Sequence, residues 1–382
     1  MASGRNERFA GAMGSWNLQS VRGAADGGVK PLRVLHLDSG ASWRGGQRQV
    51  LLLALALRDR GHEPFLIGSP GSPLVEKARA AGLAVAAIPM AADWDVRAAR
   101  RIRARMRAWS VDLVHAHDAR SHALAMIALL GRPGLPLVVT RRVPFPPRSV
   151  RLKYGPRVTR FIAISNAVKD AMVGGGIEES RISVVHSGIA TRAEAVTPRD
   201  WRKELGWSAD TVLCGIVGAM TAEKGLDSLQ TIGPSLPPEI RRRTRLLLLG
   251  GGPAVLRDTG GLEVHAAGFV HDIDPAIAGL DMLWHPSRAE GLGTAVIDAM
   301  SLGVPPVAFA VGGLPEVIEH EVSGLLIPPG DTRAFAAGAA RLIGDPALRA
   351  TLGLGAKARA ARFDSVEMTK GTEAVYHEVL PG

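Results

Sequence analysis

Short apolar runs alternate with helix-period segments along nearly the whole chain, and that alternation leaves few folds open. The run 32–37 is β-rich and ends in the turn formers Asp38, Ser39 and Gly40. After Gly45-Gly46-Gln47, leucines on helical spacing fill 47–60 and stop at Gly61, and 63–67 reads as the next strand. The order recurs through 84–88, an Arg-rich helix, 113–116, a helix over 122–130, 137–140, 161–164 and a helix over 166–172, with 184–189 as the last strand of the series. Strands separated by helices pair in parallel, with helices on both faces of the sheet. A polar, charged stretch over 190–202 interrupts the series, which restarts at 212–217 and continues through 245–249, 264–267, 282–284, 306–310 and 324–327. Two doubly wound α/β domains are predicted, their strand ends facing one cleft, which is where open parallel sheets bind ligands.

At 382 residues and 46% apolar composition there is ample material for two cores, and no apolar run is long enough to span a bilayer. Residues 1–30 lack a continuous apolar core and read as a disordered leader or an overextended start rather than a signal peptide. The single cysteine, Cys214, lies in an apolar run, so no disulfide within the chain is possible and a cytoplasmic location is expected. The net charge of +10 is concentrated in the first half: six arginines from Arg97 to Arg107 on one helix, and Arg141, Arg142, Arg148, Arg151, Lys153, Arg157 and Arg160 in a stretch without an acid. With 4% aromatics and no recognisable module, nucleic-acid binding is not expected. An anionic membrane face or a phosphate-bearing acceptor fits the charge, and so does a plain solvated surface.

The densest chemistry lies in Pro286-Ser287-Arg288-Ala289-Glu290-Gly291-Leu292-Gly293-Thr294, followed by Asp298. The run 280–285 reads as a buried strand and Thr294 opens a helix, so Gly291, Leu292, Gly293 and Thr294 would present free N–H groups to an anion. Glu290 beside such a site suits hydrogen-bond acceptance from neutral hydroxyls, against the alternative of a solvated loop carboxylate. Gly45, Gly46 and Gln47 form a second turn before a helix, suited to phosphate or to no more than a tight turn. No glycine run has the G-x-G-x-x-G spacing in a strand–helix context, which argues against a dinucleotide oxidoreductase. His115 and His117 share a strand face, with His117 nearer the cleft; metal ligation and satisfied core histidines are the alternatives. Ser165 reads as a helix N-cap bordering the cleft.

The 286–299 segment resembles the P-S-x-x-E-G-x-G-x-x-x-x-E-A signature of family 4 glycosyltransferases with the GT-B fold, a resemblance that extends over roughly residues 31–375. It implies two Rossmann-like domains: residues 31–190 for the acceptor, a linker at 191–202, residues 203–362 for the nucleotide sugar, and a terminal helix at 363–382 returning to the first domain. By resemblance Glu290 contacts the donor sugar, Asp298 stands where the family has a ribose-binding Glu, and the D-x-x-H-x-H pattern from Asp112 places His117 by the donor sugar. Gly218-Ala219-Met220-Thr221-Ala222-Glu223-Lys224-Gly225 is similar to the family's G-R-L-x-x-x-K-G, so Lys224 is the diphosphate-clamping lysine while Ala219 replaces the arginine, with Arg48 or Arg288 as substitutes. Gly268-Phe269-Val270 resembles the loop around the base, and Gly312-Gly313-Leu314-Pro315-Glu316 and Gly330-Asp331 match later markers.

The resemblance implies an enzyme of the hexosyltransferase class that transfers a sugar with retention from a nucleotide-diphosphate donor to an acceptor hydroxyl. It needs no cofactor and no metal, and serves cell-envelope glycan or glycolipid synthesis at the inner membrane face. His117, Lys224 and Glu290 are the expected catalytic residues; Gly45, Gly46, Gln47, Ser165, Arg288, Gly291, Leu292, Gly293, Thr294 and Asp298 are expected to bind substrate. A GT-B sugar-nucleotide epimerase and a catalytically silent sugar-nucleotide binder are the competing readings.

Overall fold

The computed structural model describes residues 30–147, 154–190, 194–252 and 258–380. The leader through residue 29, the basic residues Arg148, Arg151 and Lys153, and linker residues 191–193 lie outside the described residues. The first sheet holds β1 (Arg33–Asp38), β2 (Glu63–Gly68), β3 (Ala84–Ala87), β4 (Leu113–Ala116), β5 (Leu137–Arg141), β6 (Arg160–Ala163) and β7 (Ile182–Val184) in the order β3-β2-β1-β4-β5-β6-β7. The second holds β8 (Val212–Val217), β9 (Thr244–Leu249), β10 (Glu263–Gly268), β11 (Met282–His285), β12 (Pro306–Phe309) and β13 (Leu325–Ile327) in the order β10-β9-β8-β11-β12-β13. Every described pairing within the two sheets is parallel.

In each sheet the order reverses once, between β1 and β4 and between β8 and β11. Chains that cross to opposite faces there leave a crevice beyond the strand ends. Several of the helices that cover the sheets start where short polar side chains satisfy their first N–H groups: Asp95, Asp118, Asp331, Asp345 and Asp364 each accept from a backbone N–H two or three residues ahead. The Arg-rich helix Val96–Ala108 turns Ala98, Ala99, Ile102 and Met106 inward and leaves Arg97, Arg100, Arg101, Arg105 and Arg107 exposed, so its charge is a solvated face.

One expected strand is shorter than its pattern. Residues 184–189 were expected as a strand, yet β7 ends at Val184, because the returning chain claims the backbone beyond it: Ile189 N donates to Phe363 O and Ser365 N to Ile189 O. From there the helix Ser365–Val379 lies on the helix Gly45–Asp59 of the first domain. The buried Tyr376 hydroxyl meets His115 Nδ1 at 2.6 Å, and Glu373 Oε1 takes Arg60 Nε at 2.6 Å and His62 Nε2 at 2.8 Å. Among the described residues no helix is long and apolar enough to cross a membrane.

Candidate active site

The second sheet builds its half of the cleft at the β8/β11 crevice. Strand β11 ends on the fully buried His285, and the loop after it carries Glu290. Glu290 Oε1 accepts from Lys224 Nζ at 2.6 Å and from His285 Nε2 at 2.8 Å, while Oε2 has no partner among the described residues. Burial alone would raise the Glu290 carboxyl, but His285 and Lys224 more than reverse this and hold it far below the usual carboxylate range. His285 is pushed down, first by burial and then by Lys224, so it faces Glu290 as a neutral donor.

The loop then passes Gly291 and reaches Gly293, whose φ of +91° suits glycine and opens the helix Thr294–Ser301. That helix has no side-chain cap and no acid in its first turn. Opposite it starts the helix Gly45–Asp59, likewise without a side-chain cap or an acid in its first turn. A methyl added to Gly45 would stand 3.3 Å from Thr294 Oγ1, so the two helix starts face each other across the cleft. Both ends carry unpaired N–H groups and a partial positive charge.

The first sheet contributes a histidine cluster at the β1/β4 crevice. His36 Nδ1 and His117 Nε2 lie 3.0 Å apart, and Arg142 Nη2 approaches His117 Nδ1 at 3.3 Å. A guanidinium only donates, so His117 Nδ1 accepts, its Nε2–H donates to His36, and His36 keeps its proton on Nε2, which is buried without a partner among the described residues. His115 is held by Tyr376 and by Thr140 Oγ1, each at 2.6 Å. Burial lowers the pKa of all three rings, that of His36 to about 3. Their nitrogens lie within 4.8 Å of one another, close enough for a metal. Both nitrogens of His115 and of His117 are already engaged by protein groups, and the Arg142 guanidinium beside them would repel a cation.

The remaining sequence-predicted residues divide. Ser165 Oγ accepts from Val168 N at 3.1 Å as a helix cap and donates to Gly291 O at 2.6 Å, tying the two domains together. Leu292 is buried, and Gln47 Nε2 donates to Asp38 Oδ1 at 3.0 Å, closing the loop after β1. Asp298, expected at a ribose, is nearly buried and forms a two-pronged ion pair with Arg48, including Arg48 Nη2 to Asp298 Oδ1 at 2.8 Å. Arg288, expected at substrate, is exposed and paired with Asp227. The two proposed substitutes for the arginine missing at Ala219 thus already hold carboxylates.

Three residues escaped the sequence reading. His36 sits in an apolar strand with nothing local to mark it, and His285 looked like a strand residue. Arg142 belongs, by sequence, to a basic stretch without an acid. Of that stretch, Arg141 bonds Tyr154 and Phe145, Arg157 bonds the carbonyls of Arg132 and Leu135, and Arg160 bonds Ser180 and Glu378, so these three serve the fold.

Residues 43–193 match the model of the family described as Glycosyltransferase Family 4, and residues 211–345 match that described as Glycosyl transferases group 1. The chain is similar to a D-inositol 3-phosphate glycosyltransferase of Saccharomonospora viridis, 28% identical over 305 residues that span 70% of each protein. It is also similar to the N-acetyl-alpha-D-glucosaminyl L-malate synthase of Bacillus anthracis, 26% identical over 303 residues, 71% of this chain and 76% of that relative. Among solved structures, HepE of Anabaena in complex with UDP-glucose superposes with a TM-score of 0.78 over 91% of this chain and 100% of that one at 23% identity, a likeness of fold.

Proposed function

We propose that this chain, which belongs to the family 4 glycosyltransferases of the GT-B fold, moves a sugar from a nucleotide-diphosphate donor to an acceptor hydroxyl with retention at the anomeric carbon. The observation that carries the donor assignment is the meeting of two uncapped helix N-termini, without an acid in either first turn, across the cleft that the Lys224–Glu290 pair lines. Transfer requires the departing diphosphate to be stabilised as charge develops on it. The helix starts supply fixed N–H donors, and Lys224 spends one N–H on Glu290 and keeps two for phosphate oxygens. Glu290, ionised, offers Oε2 to sugar hydroxyls. A structure of the same fold in complex with UDP-glucose supports a nucleotide sugar as the donor. Relatives named for an inositol phosphate and for a malate conjugate support a small polar acceptor over an envelope glycan.

The test is calorimetric binding of UDP and UDP-glucose, together with transfer of labelled glucose to candidate acceptors. Lys224→Met should melt like the parent and lose roughly 100- to 1000-fold in turnover, about 3 to 4 kcal/mol of transition-state stabilisation. Near-parental turnover in that variant would remove Lys224 from the phosphate site. Binding and turnover should survive a chelator; loss restored by magnesium would overturn metal independence. Free sugar released without an acceptor would favour the epimerase reading, and binding without any turnover the silent binder, for which the replacements at Ala219 and Asp298 speak.

A further inference from the structure

Enclosing a guanidinium without a counter-charge is costly, so an arginine that lacks a carboxylate inside a cleft calls for an anion. Arg142, just past the end of β5, is such a residue. Among the described residues its Nε is buried without a partner, its side chain's one hydrogen bond is the long contact to His117 Nδ1 at 3.3 Å, and it forms no salt bridge. Burial pushes it down to about 10, against the pull of Asp38 and Asp118. Both carboxylates are committed elsewhere: Asp38 Oδ1 accepts from Gly40 N and Gln47 Nε2, and Asp118 accepts from Ser39 and caps the helix Ala119–Ala128.

The position of Arg142 sets what it can meet. A methyl on Gly46 would stand 3.6 Å from Arg142 Cδ, and one on Gly291 only 2.1 Å from Arg142 O, so the residue lies between the first domain's helix start and the loop that carries Glu290. It is only partly exposed, and it hangs from the first sheet, across the cleft from Lys224. We propose that Arg142 holds an anionic group of the acceptor, a phosphate or a carboxylate, against the first domain. The inference rests on the glycosyl-transfer reading, since it needs an acceptor opposite Glu290. On binding, the guanidinium exchanges one long N–H···N contact for charge-assisted bonds to oxygen. His117 Nδ1 is then free to accept a hydrogen bond from a substrate hydroxyl, so Arg142 both anchors the acceptor and releases the histidine.

The experiment titrates inorganic phosphate into the full-length protein saturated with UDP, for the parent, Arg142→Gln, Arg142→Lys and Lys224→Met, with UDP titrated separately into each. Arg142→Gln should weaken phosphate binding at least tenfold, leave UDP affinity within twofold and melt no lower than the parent, because an unpaired enclosed charge is removed. Arg142→Lys should recover part of the phosphate affinity. Lys224→Met should show the opposite pattern, weaker for UDP and unchanged for phosphate. Unchanged phosphate binding in Arg142→Gln overturns the proposal, and so does a parallel fall in UDP affinity, which would give Arg142 to the donor. A parent that binds phosphate through Arg142 but binds neither UDP nor UDP-glucose would instead sink the donor reading and leave the anion site standing.

Discussion

Four histidines, His36, His115, His117 and His285, are buried with their pKa values lowered by desolvation, and together they set a sign for the response to acid. A histidine kept neutral in the fold takes up its proton only on unfolding, so its contribution to stability is present above about 6.5 and lost as pH falls below it, at about 1.4 kcal/mol per pH unit per ring. Urea midpoints should therefore drop steeply between about pH 7 and 5.5, and His36→Asn should make the profile shallower; a flat parental profile would mean that the rings are protonated in the fold. Glu290 acts with the same sign in a lower window, since its contribution is lost only as pH falls below the ordinary 4.5. The Arg48–Asp298 pair alters what the shortened acid means. Asp298 matches the reach of a guanidinium on the facing helix, so Asp298→Glu should disturb that fork and weaken UDP binding rather than improve a ribose contact, as calorimetry can decide.

At the scale of elements, the helix Asn166–Gly174 shows how one domain completes the other. Its own cap, Ser165, also donates to Gly291 O, and Glu316 from the second domain accepts from Asn166 N at 3.0 Å, Asn166 Nδ2 at 2.8 Å and Ala167 N at 3.2 Å, while His186 Nε2 lies 2.9 Å from it. A carboxylate at a helix N-terminus is stabilised by the N–H groups and the macrodipole, and these hydrogen bonds hold Glu316 below its ordinary value although burial acts to raise it. Ser165→Ala should cost about 1 kcal/mol through the lost cap, seen in the melting of the first domain. Glu316→Gln should leave that melting nearly unchanged and loosen the interface, which hydrogen exchange at Asn166 and Ala167 would report. Protection equal to the parent's at those amides would show that the contact across the cleft carries little.

For the whole molecule, the two crevices act together because the domains meet closely enough to appose their helix starts. Gly291 sets that approach, since a side chain there would run into the carbonyl of Arg142, a backbone atom with little room to yield. Gly291→Ala should push the domains apart. The radius of gyration from solution scattering should rise and UDP-glucose should bind more weakly, while the secondary structure by circular dichroism stays as in the parent. An unchanged radius would mean that Gly291 does not set the approach, and a larger radius with parental affinity would mean that the closure is not needed for the donor.

The sequence by itself determined the two sheets, the break between them, the Ser165 cap and the loop that carries Glu290, because strand and helix periods, turn residues and N-cap chemistry act over a few neighbouring residues. It also marked Lys224 and Glu290 as cleft residues without revealing that they are each other's partners. Only the tertiary structure decided which charges are matched. Arg48 and Asp298 lie 250 positions apart, His36 and His117 lie 81 apart, and Arg142 looks like one member of a basic stretch until the fold surrounds it. Pairing and desolvation depend on what packs opposite a side chain, and no local pattern encodes that.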